Sequence, residues 1–119
     1  MNTENNILLA EFLEFQKTDL GWFDNEGVLS EVEQDNCFDS LYFDTDWNWL
    51  MAVVDKIESL LFENDNSVNV TIGSSCYCVI QDSLGNLLEI TKEENSKIAS
   101  VYKACVEFIQ WYNKENNEK

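Results

Sequence analysis

The chain has 119 residues, 45% of them hydrophobic and 25% charged, and this size and composition predict one globular domain over residues 1–119. Its charge is unusual, because 23 acidic residues stand against only seven lysines and the formal net charge is −16. The sequence has no Arg, His or Pro, which excludes Ser–His–Asp and Cys–His catalysis, zinc sites that use His, and phosphate recognition by Arg.

The N-terminal third predicts one helix followed by an irregular acidic segment. Residues 4–15 place Ile7, Leu8 and Phe12 close to one helical face. The pattern ends near Gly21, and residues 19–40 show no sustained period. Within that segment, residues 28–32 are a candidate for a short edge strand.

Residues 45–62 have the clearest helical period in the chain, and Asp44 or Thr45 is the predicted N-cap. Six apolar residues at helical spacing predict one buried stripe. They are Trp47, Leu50, Met51, Val54, Ile57 and Leu61. Further apolar residues broaden this stripe, so we expect the helix to be buried on much of its circumference.

The C-terminal half predicts three strands and a last helix. Residues 67–72 alternate strictly, residues 75–81 follow a turn at Gly73-Ser74, and residues 87–90 form a short third strand. Residues 93–113 have a long apolar helical stripe. The predicted fold is a two-layer α+β domain, in which two long helices cover one face of a three-stranded antiparallel meander, plus an N-terminal helix.

Ten acidic residues and no lysine lie between Thr18 and Asp55. If they gather on one face, they resemble a short DNA duplex, which carries one charge per roughly 1.7 Å of its axis. If they are spread evenly, they give only solubility. Direct nucleic-acid binding is disfavoured by charge repulsion.

The neighbouring Trp22-Phe23 pair is either a partner anchor or a loop that folds back onto the core. The predicted partner-binding residues are Asp19, Trp22, Phe23, Asp24, Glu26, Glu31, Glu33, Asp35 and Asp39.

No motif predicts a catalytic pair, a metal site or a cofactor. Asp44-x-Asp46-x-Asn48 begins like a calcium loop, but Trp49 stands where that loop needs Gly, and Asp55 where it needs Glu. The four cysteines lack two closely spaced pairs of the kind found in thiolate zinc sites, so reduced, buried thiols are the interpretation we favour. They are Cys37, Cys76, Cys78 and Cys105.

Two helical segments, FDTDWNWLMAVVDKIESL and SKIASVYKACVEFIQWYN, resemble a group of small uncharacterised proteins encoded by bacteriophages, often of Bacteroidetes hosts. The shared residues of the first segment include Trp47, Trp49, Leu50 and Met51. Those of the second include Glu107, Phe108, Ile109, Trp111, Tyr112 and Asn113. The opening LLAEFLEF is also similar to the start of these proteins.

The chain departs from that group at Ala52, where Pro is usual, and at Asp44, where His is frequent. The shared segments are apolar and helical. The resemblance therefore implies a phage gene product and supplies no catalytic residues.

These observations predict a non-enzymatic acidic phage protein that binds a basic host protein, as a DNA-mimic-like inhibitor of a host defence nuclease. The alternatives are a protein that sequesters a nucleotide signal and an oligomeric phage structural or assembly component. The start of the chain has no basic region and its apolar stretch is short, so we expect no signal peptide, no membrane span and a location in the host cytoplasm.

Overall fold

The computed structural model describes residues 2–18, 21–24, 36–38, 41–62, 65–85 and 87–117. Three helices and seven strands lie within these ranges. In chain order they are α1 (Asn2–Phe12), β1 (Gln16–Thr18), β2 (Gly21–Asp24), β3 (Asn36–Phe38), α2 (Trp47–Glu58), β4 (Leu61–Phe62), β5 (Asn66–Gly73), β6 (Tyr77–Asp82), β7 (Glu89–Glu93) and α3 (Lys97–Asn117).

The larger sheet is antiparallel, with the strand order β4-β5-β6-β7, and α2 and α3 pack on one of its faces. Side chains alternate along its strands, so Val68, Cys78 and Ile80 are buried against the helices while Thr71 and Gln81 are exposed on the other face. The predicted α+β class and the antiparallel meander are confirmed.

The predicted number of strands in this sheet is wrong, because β4 adds a fourth strand at Leu61–Phe62. These two residues were assigned to the helix over 45–62, but α2 ends at Glu58. The hydroxyl of Ser59 donates to the carbonyl of Lys56 (2.6 Å) at the helix end. A strand of two residues has no period that a sequence pattern can reveal.

The smaller sheet has the order β1-β2-β3; β2 and β3 lie in residues 19–40, which the sequence predicts to be irregular, and β1 lies just before them. Trp22 is paired with Lys17 on one side and with Phe38 on the other. Its strands have three or four residues, too few for a periodic signal. The candidate edge strand over residues 28–32 lies outside the described residues.

The turns around β6 and β7 also differ from the prediction. The β5–β6 turn is formed by residues 74–76, in which Cys76 has a left-handed backbone (φ 59°), so β6 begins at Tyr77. The Tyr77 ring lies against Gly73, where an added Cβ would overlap it. The β7 strand begins later than expected, and α3 begins only at Lys97 and continues to Asn117.

A buried polar network joins the two ends of the chain. The hydroxyl of Tyr102 on α3 donates to Asn6 Oδ1 on α1 (2.9 Å). Asn6 Nδ2 in turn lies 3.2 Å from the carbonyl of Leu41 and 3.2 Å from Asp44 Oδ1, both of which accept from it. Because each partner is satisfied, the network fixes the position of α1 relative to α3 and to the segment that leads into α2.

A second buried network holds the β6–β7 turn. The side chain of Asp82 is 2% exposed, and its Oδ1 accepts hydrogen bonds from the backbone N–H groups of Leu87 and Leu88, each at 3.0 Å. Asn66 Nδ2 donates to the other oxygen (2.9 Å), and Asn66 Oδ1 accepts from the Leu84 N–H (3.1 Å). The carboxylate therefore accepts the hydrogen bonds that a backbone carbonyl would accept in an ordinary turn.

We expect Asp82→Ala to lower the free energy of unfolding by about 3 kcal/mol, because it leaves the buried side-chain amide of Asn66 and the part-buried N–H groups of Leu87 and Leu88 without their acceptor. Urea unfolding followed by circular dichroism measures the change. The exposed Glu89→Ala is the control, with an expected change within about 0.5 kcal/mol. Equal effects of the two substitutions would contradict the assigned role of Asp82.

The core contains two thiols that interact electrostatically across the interface between the sheet and α3. Cys78 lies on β6 and Cys105 on α3, and both are fully buried. Burial raises the pKa of Cys78 from 9.0 to about 11, and burial together with the Cys78 thiol raises the pKa of Cys105 further. Burial, followed by the negative charge of Asp44, raises the pKa of Tyr102 from 10.0 to about 12.

These shifts predict that stability falls in alkali. The unfolded chain ionises Cys78 above pH 9.0 and Tyr102 above pH 10.0, whereas the folded chain keeps them neutral to about pH 11 and about pH 12. Stability contributed by the neutral groups is present below pH 9 and is lost as the pH rises through these ranges. Urea unfolding at a series of pH values should show this decline, with a shallower slope above pH 10 in Tyr102→Phe. An unchanged slope in that variant would contradict the assignment to Tyr102.

Candidate partner-docking surface

The N-terminus of α2 is fixed by Asp46, which is the N-cap. Its backbone is extended (φ −121°, ψ 117°), and its Oδ1 accepts from the N–H of Asn48 (2.8 Å). The prediction of Asp44 or Thr45 at this position is wrong by one or two residues. The carbonyl of Tyr42 accepts from the N–H groups of both Thr45 and Asp46, and this tight turn delays the helix start.

The outer side of α2 exposes two large apolar side chains. Trp47 is 40% exposed and Met51 is 36% exposed. Residues four apart in a helix are neighbours on its surface, so the two side chains form one apolar strip. Asp55 and Glu58 continue the same side, since the four residues fall within an arc of about 80°.

We call Trp47, Met51, Asp55 and Glu58, together with the N-cap Asp46, the α2 surface. The sequence pattern predicts that Trp47, Met51 and Leu61 are buried, and for all three residues this prediction is wrong. Leu61 is 67% exposed and lies on β4. The buried arc of α2 consists of Trp49, Leu50, Ala52, Val53, Val54 and Ile57.

The cause of this error is the number of apolar residues in α2, which exceeds what one helical face can bury. A pattern with apolar residues over more than half of the circumference does not determine which arc meets the core. Trp49 is on the buried side because its ring packs against two others in the core. The ring centroids lie 5.1 Å from Phe43 and 6.1 Å from Phe15. The number of apolar residues in α2 therefore indicates that at least one of them is exposed, and that residue is Trp47.

The α2 surface is acidic and has no lysine among its own residues. The one lysine of α2, Lys56, faces α1, where its Nζ donates to the carbonyl of Phe12 and lies 4.9 Å from the centroid of that ring. It therefore neutralises none of the α2 surface directly. An apolar strip framed by Asp46, Asp55 and Glu58 favours a partner with apolar and cationic groups.

The other lysines whose side chains are described lie on β7 and α3. Lys92 forms an ion pair with Glu107 (3.2 Å), and Lys103 forms one with Glu94 (2.8 Å). The sequence shows the same asymmetry. Residues 1–65 contain sixteen acids and two lysines, a net charge of −14, whereas residues 66–119 contain seven acids and five lysines, a net charge of −2.

Of the nine predicted partner-binding residues, three have a described backbone. Trp22, Phe23 and Asp24 lie on β2, in the middle of the smaller sheet. The other six lie outside the described residues; they are Asp19, Glu26, Glu31, Glu33, Asp35 and Asp39. The predicted acidic site is therefore still a prediction, and the α2 surface is an additional candidate that the sequence interpretation missed.

Cys76, Cys78 and Cys105 are free thiols, and within the described ranges no three Cys, Asp or Glu side chains are arranged to hold a metal ion. None of the described helices is both long and apolar enough to cross a membrane.

Comparison with protein-family models, with curated proteins and with solved structures gives no match for this chain. The resemblance to bacteriophage proteins therefore stays a prediction from the sequence. The geometry of the described residues is what supports a function.

Two tryptophans of α2 provide a direct test of the α2 surface. We expect Trp49→Ala to lower the free energy of unfolding by about 3–5 kcal/mol, because it opens a cavity beside Phe15 and Phe43. The exposed Trp47→Ala should cost about 1 kcal/mol or less. Thermal and urea unfolding of both variants measure the difference. A larger loss for Trp47→Ala would show that the buried arc of α2 is misassigned.

Proposed function

We propose that this protein is a non-enzymatic, acidic binding protein that docks on a basic surface of another protein through the α2 surface. The single observation that carries the proposal is the exposed Trp47–Met51 strip beside carboxylates that no described lysine neutralises. A strip of this kind supplies both the apolar anchor and the charge that such docking needs.

Affinity comes chiefly from the apolar part of this surface. Tryptophan is among the residue types enriched at binding hot spots, where truncation to Ala costs about 2 kcal/mol or more. Met51 adds a flexible side chain that adapts to the shape of a partner. Both residues stand on a helix whose other side is fixed in the core, so little ordering is needed on binding.

The charge acts mainly on the rate of association and on the choice of partner. A net charge of −16 attracts a basic protein over a distance of about one Debye length and repels acidic ones. The excess of −14 in residues 1–65 includes Asp46, Asp55 and Glu58, so most of the net negative charge belongs to the part of the sequence that carries the α2 surface.

The partner class that we propose is a host DNA-binding protein, such as a defence nuclease, whose DNA-binding surface would be covered by the acidic protein. Support comes from the resemblance to phage proteins and from the acid-rich residues 19–46. A nucleotide-sequestering function has less support, because it needs free cationic donors. Of the four lysines on β7 and α3, Lys92 and Lys103 are already paired with Glu107 and Glu94.

The proposal predicts that a basic partner is captured from bacterial lysate by the native protein and lost from the Trp47→Ala/Met51→Ala variant. Immobilised protein is exposed to lysate at low salt, and the captured proteins are identified by mass spectrometry. With the purified partner, the double variant should bind at least about 30-fold more weakly. Leu84→Ala, which removes another exposed apolar side chain, should bind like the native protein.

The electrostatic part is tested with two variants of equal charge. Asp46→Asn/Asp55→Asn should slow association several-fold and weaken its salt dependence, and Asn at residue 46 preserves the helix cap. Glu4→Gln/Glu11→Gln removes the same charge from the exposed side of α1 and should have a smaller effect. The proposal would be refuted if the Trp47→Ala/Met51→Ala variant captured the partner as well as the native protein does, or if the affinity did not change with salt.

A further inference from the structure

The two edges of the larger sheet differ in how far other parts of the chain cover their backbone groups. On the β5 edge, β4 pairs with Asn66 and Ser67. Further along the same edge, the carboxylate of Glu58 accepts from the N–H of Val70 (3.3 Å). This edge is therefore partly closed by the chain itself.

The β7 edge is open in the described part of the chain. The N–H of Glu94 donates to the carbonyl of Cys76 (3.1 Å), which sets the phase of the β6–β7 ladder. In an antiparallel pair, hydrogen-bonded and non-hydrogen-bonded residues alternate, so the backbone groups of Glu89, Thr91 and Glu93 point away from β6. No described strand lies on that side of β7.

The side chains of the same three residues share the solvent face of the sheet. Glu89, Thr91 and Glu93 are all exposed, whereas Ile90 and Lys92 face the helices, where Lys92 is paired with Glu107. An exposed acid therefore stands at each end of an unpaired strand edge. The distance between them along the strand is about 13 Å, since a strand rises about 3.3 Å per residue.

We propose that the β7 edge binds an extended basic segment of a partner protein by strand addition. An added antiparallel strand would form hydrogen bonds with the backbone of Glu89, Thr91 and Glu93. The residues opposite these three would lie on the solvent face, so a cationic side chain at each end would meet Glu93 and Glu89. The segment has the pattern Lys/Arg-x-Thr/Val-x-Lys/Arg.

A second copy of this chain is a poor occupant of the same edge. Symmetric antiparallel pairing centred on Thr91 would place Glu89 of one copy opposite Glu93 of the other, and like charges directly opposite are destabilising. Charged side chains commonly protect edge strands against self-association. Acidic ones do so while still admitting a basic strand. The inference stands on β7 alone and does not depend on the α2 surface.

The test uses the intact protein and the capped peptide Lys-Val-Thr-Val-Lys, observed by NMR shifts of the backbone amides. We expect the shifts to centre on Glu89, Thr91 and Glu93. Glu89→Gln/Glu93→Gln should weaken binding about fivefold, the value of two opposite-charge cross-strand pairs. Glu4→Gln/Glu11→Gln, which removes the same charge from α1, should leave affinity within twofold of native. Circular dichroism confirms that both variants are folded.

Two further measurements separate strand addition from simple charge attraction. A peptide whose threonine amide is N-methylated keeps both lysines but cannot donate the central ladder hydrogen bond, so it should bind several-fold more weakly. Trp47→Ala should bind the native peptide unchanged, whatever its effect on partner capture. The inference would be overturned if the methylated peptide bound as tightly as the native one, or if the two glutamine variants weakened binding equally. It would also be overturned if the shifts were confined to α2 or if the peptide did not bind.

Discussion

Packing of α2 and α3 on a single face of the antiparallel sheet is the constraint on which the rest of this structure depends. It buries Val68, Cys78 and Ile80 on one side and leaves Thr71 and Gln81 on the other side in solvent. Because the sheet and α3 cover only one side of α2 among the described residues, α2 has one side in the core and one side exposed. The free side is the α2 surface.

The same arrangement explains how lysines and carboxylates are distributed. Lys92 and Lys103 lie on β7 and α3, close enough to Glu107 and Glu94 to form exposed ion pairs. Such pairs contribute little to stability, but they neutralise charge locally. Lys56 is turned to α1, so the acids around Trp47 and Met51 keep their field. Charge and apolar area thus coincide on α2.

The sequence predicts the class of fold because its clearest periodic patterns fall on long helices and strands. The helical pattern of residues 45–62 and the alternation of residues 67–72 correspond to α2 and β5. Elements of two to four residues, such as β4 and the strands of the smaller sheet, carry no period and were missed. Their pairing partners are chosen by tertiary contacts.

The candidate site was less predictable than the fold, for a physical reason. In α2, apolar residues occupy more of the circumference than the sheet and α3 cover, so the pattern could not separate Trp49 in the core from Trp47 in solvent. The acid-rich segment indicates the sign of the charge and favours the basic partner that we propose, but it does not reveal the exposed apolar strip on α2. Only the packing of Trp49 against Phe43 and Phe15 decides that.

The hydrogen bond between Tyr102 and Asn6 joins residues 96 positions apart, and this has a consequence for folding during synthesis. A ribosome adds about 5–20 residues per second, so α1 leaves it several seconds before α3 exists. Until then Asn6 lacks the hydroxyl of Tyr102 as a donor, and α1 lacks the helix on which it packs in the folded chain. During synthesis α1 therefore cannot complete its packing until α3 has been made, so this contact is delayed by the order of the sequence itself.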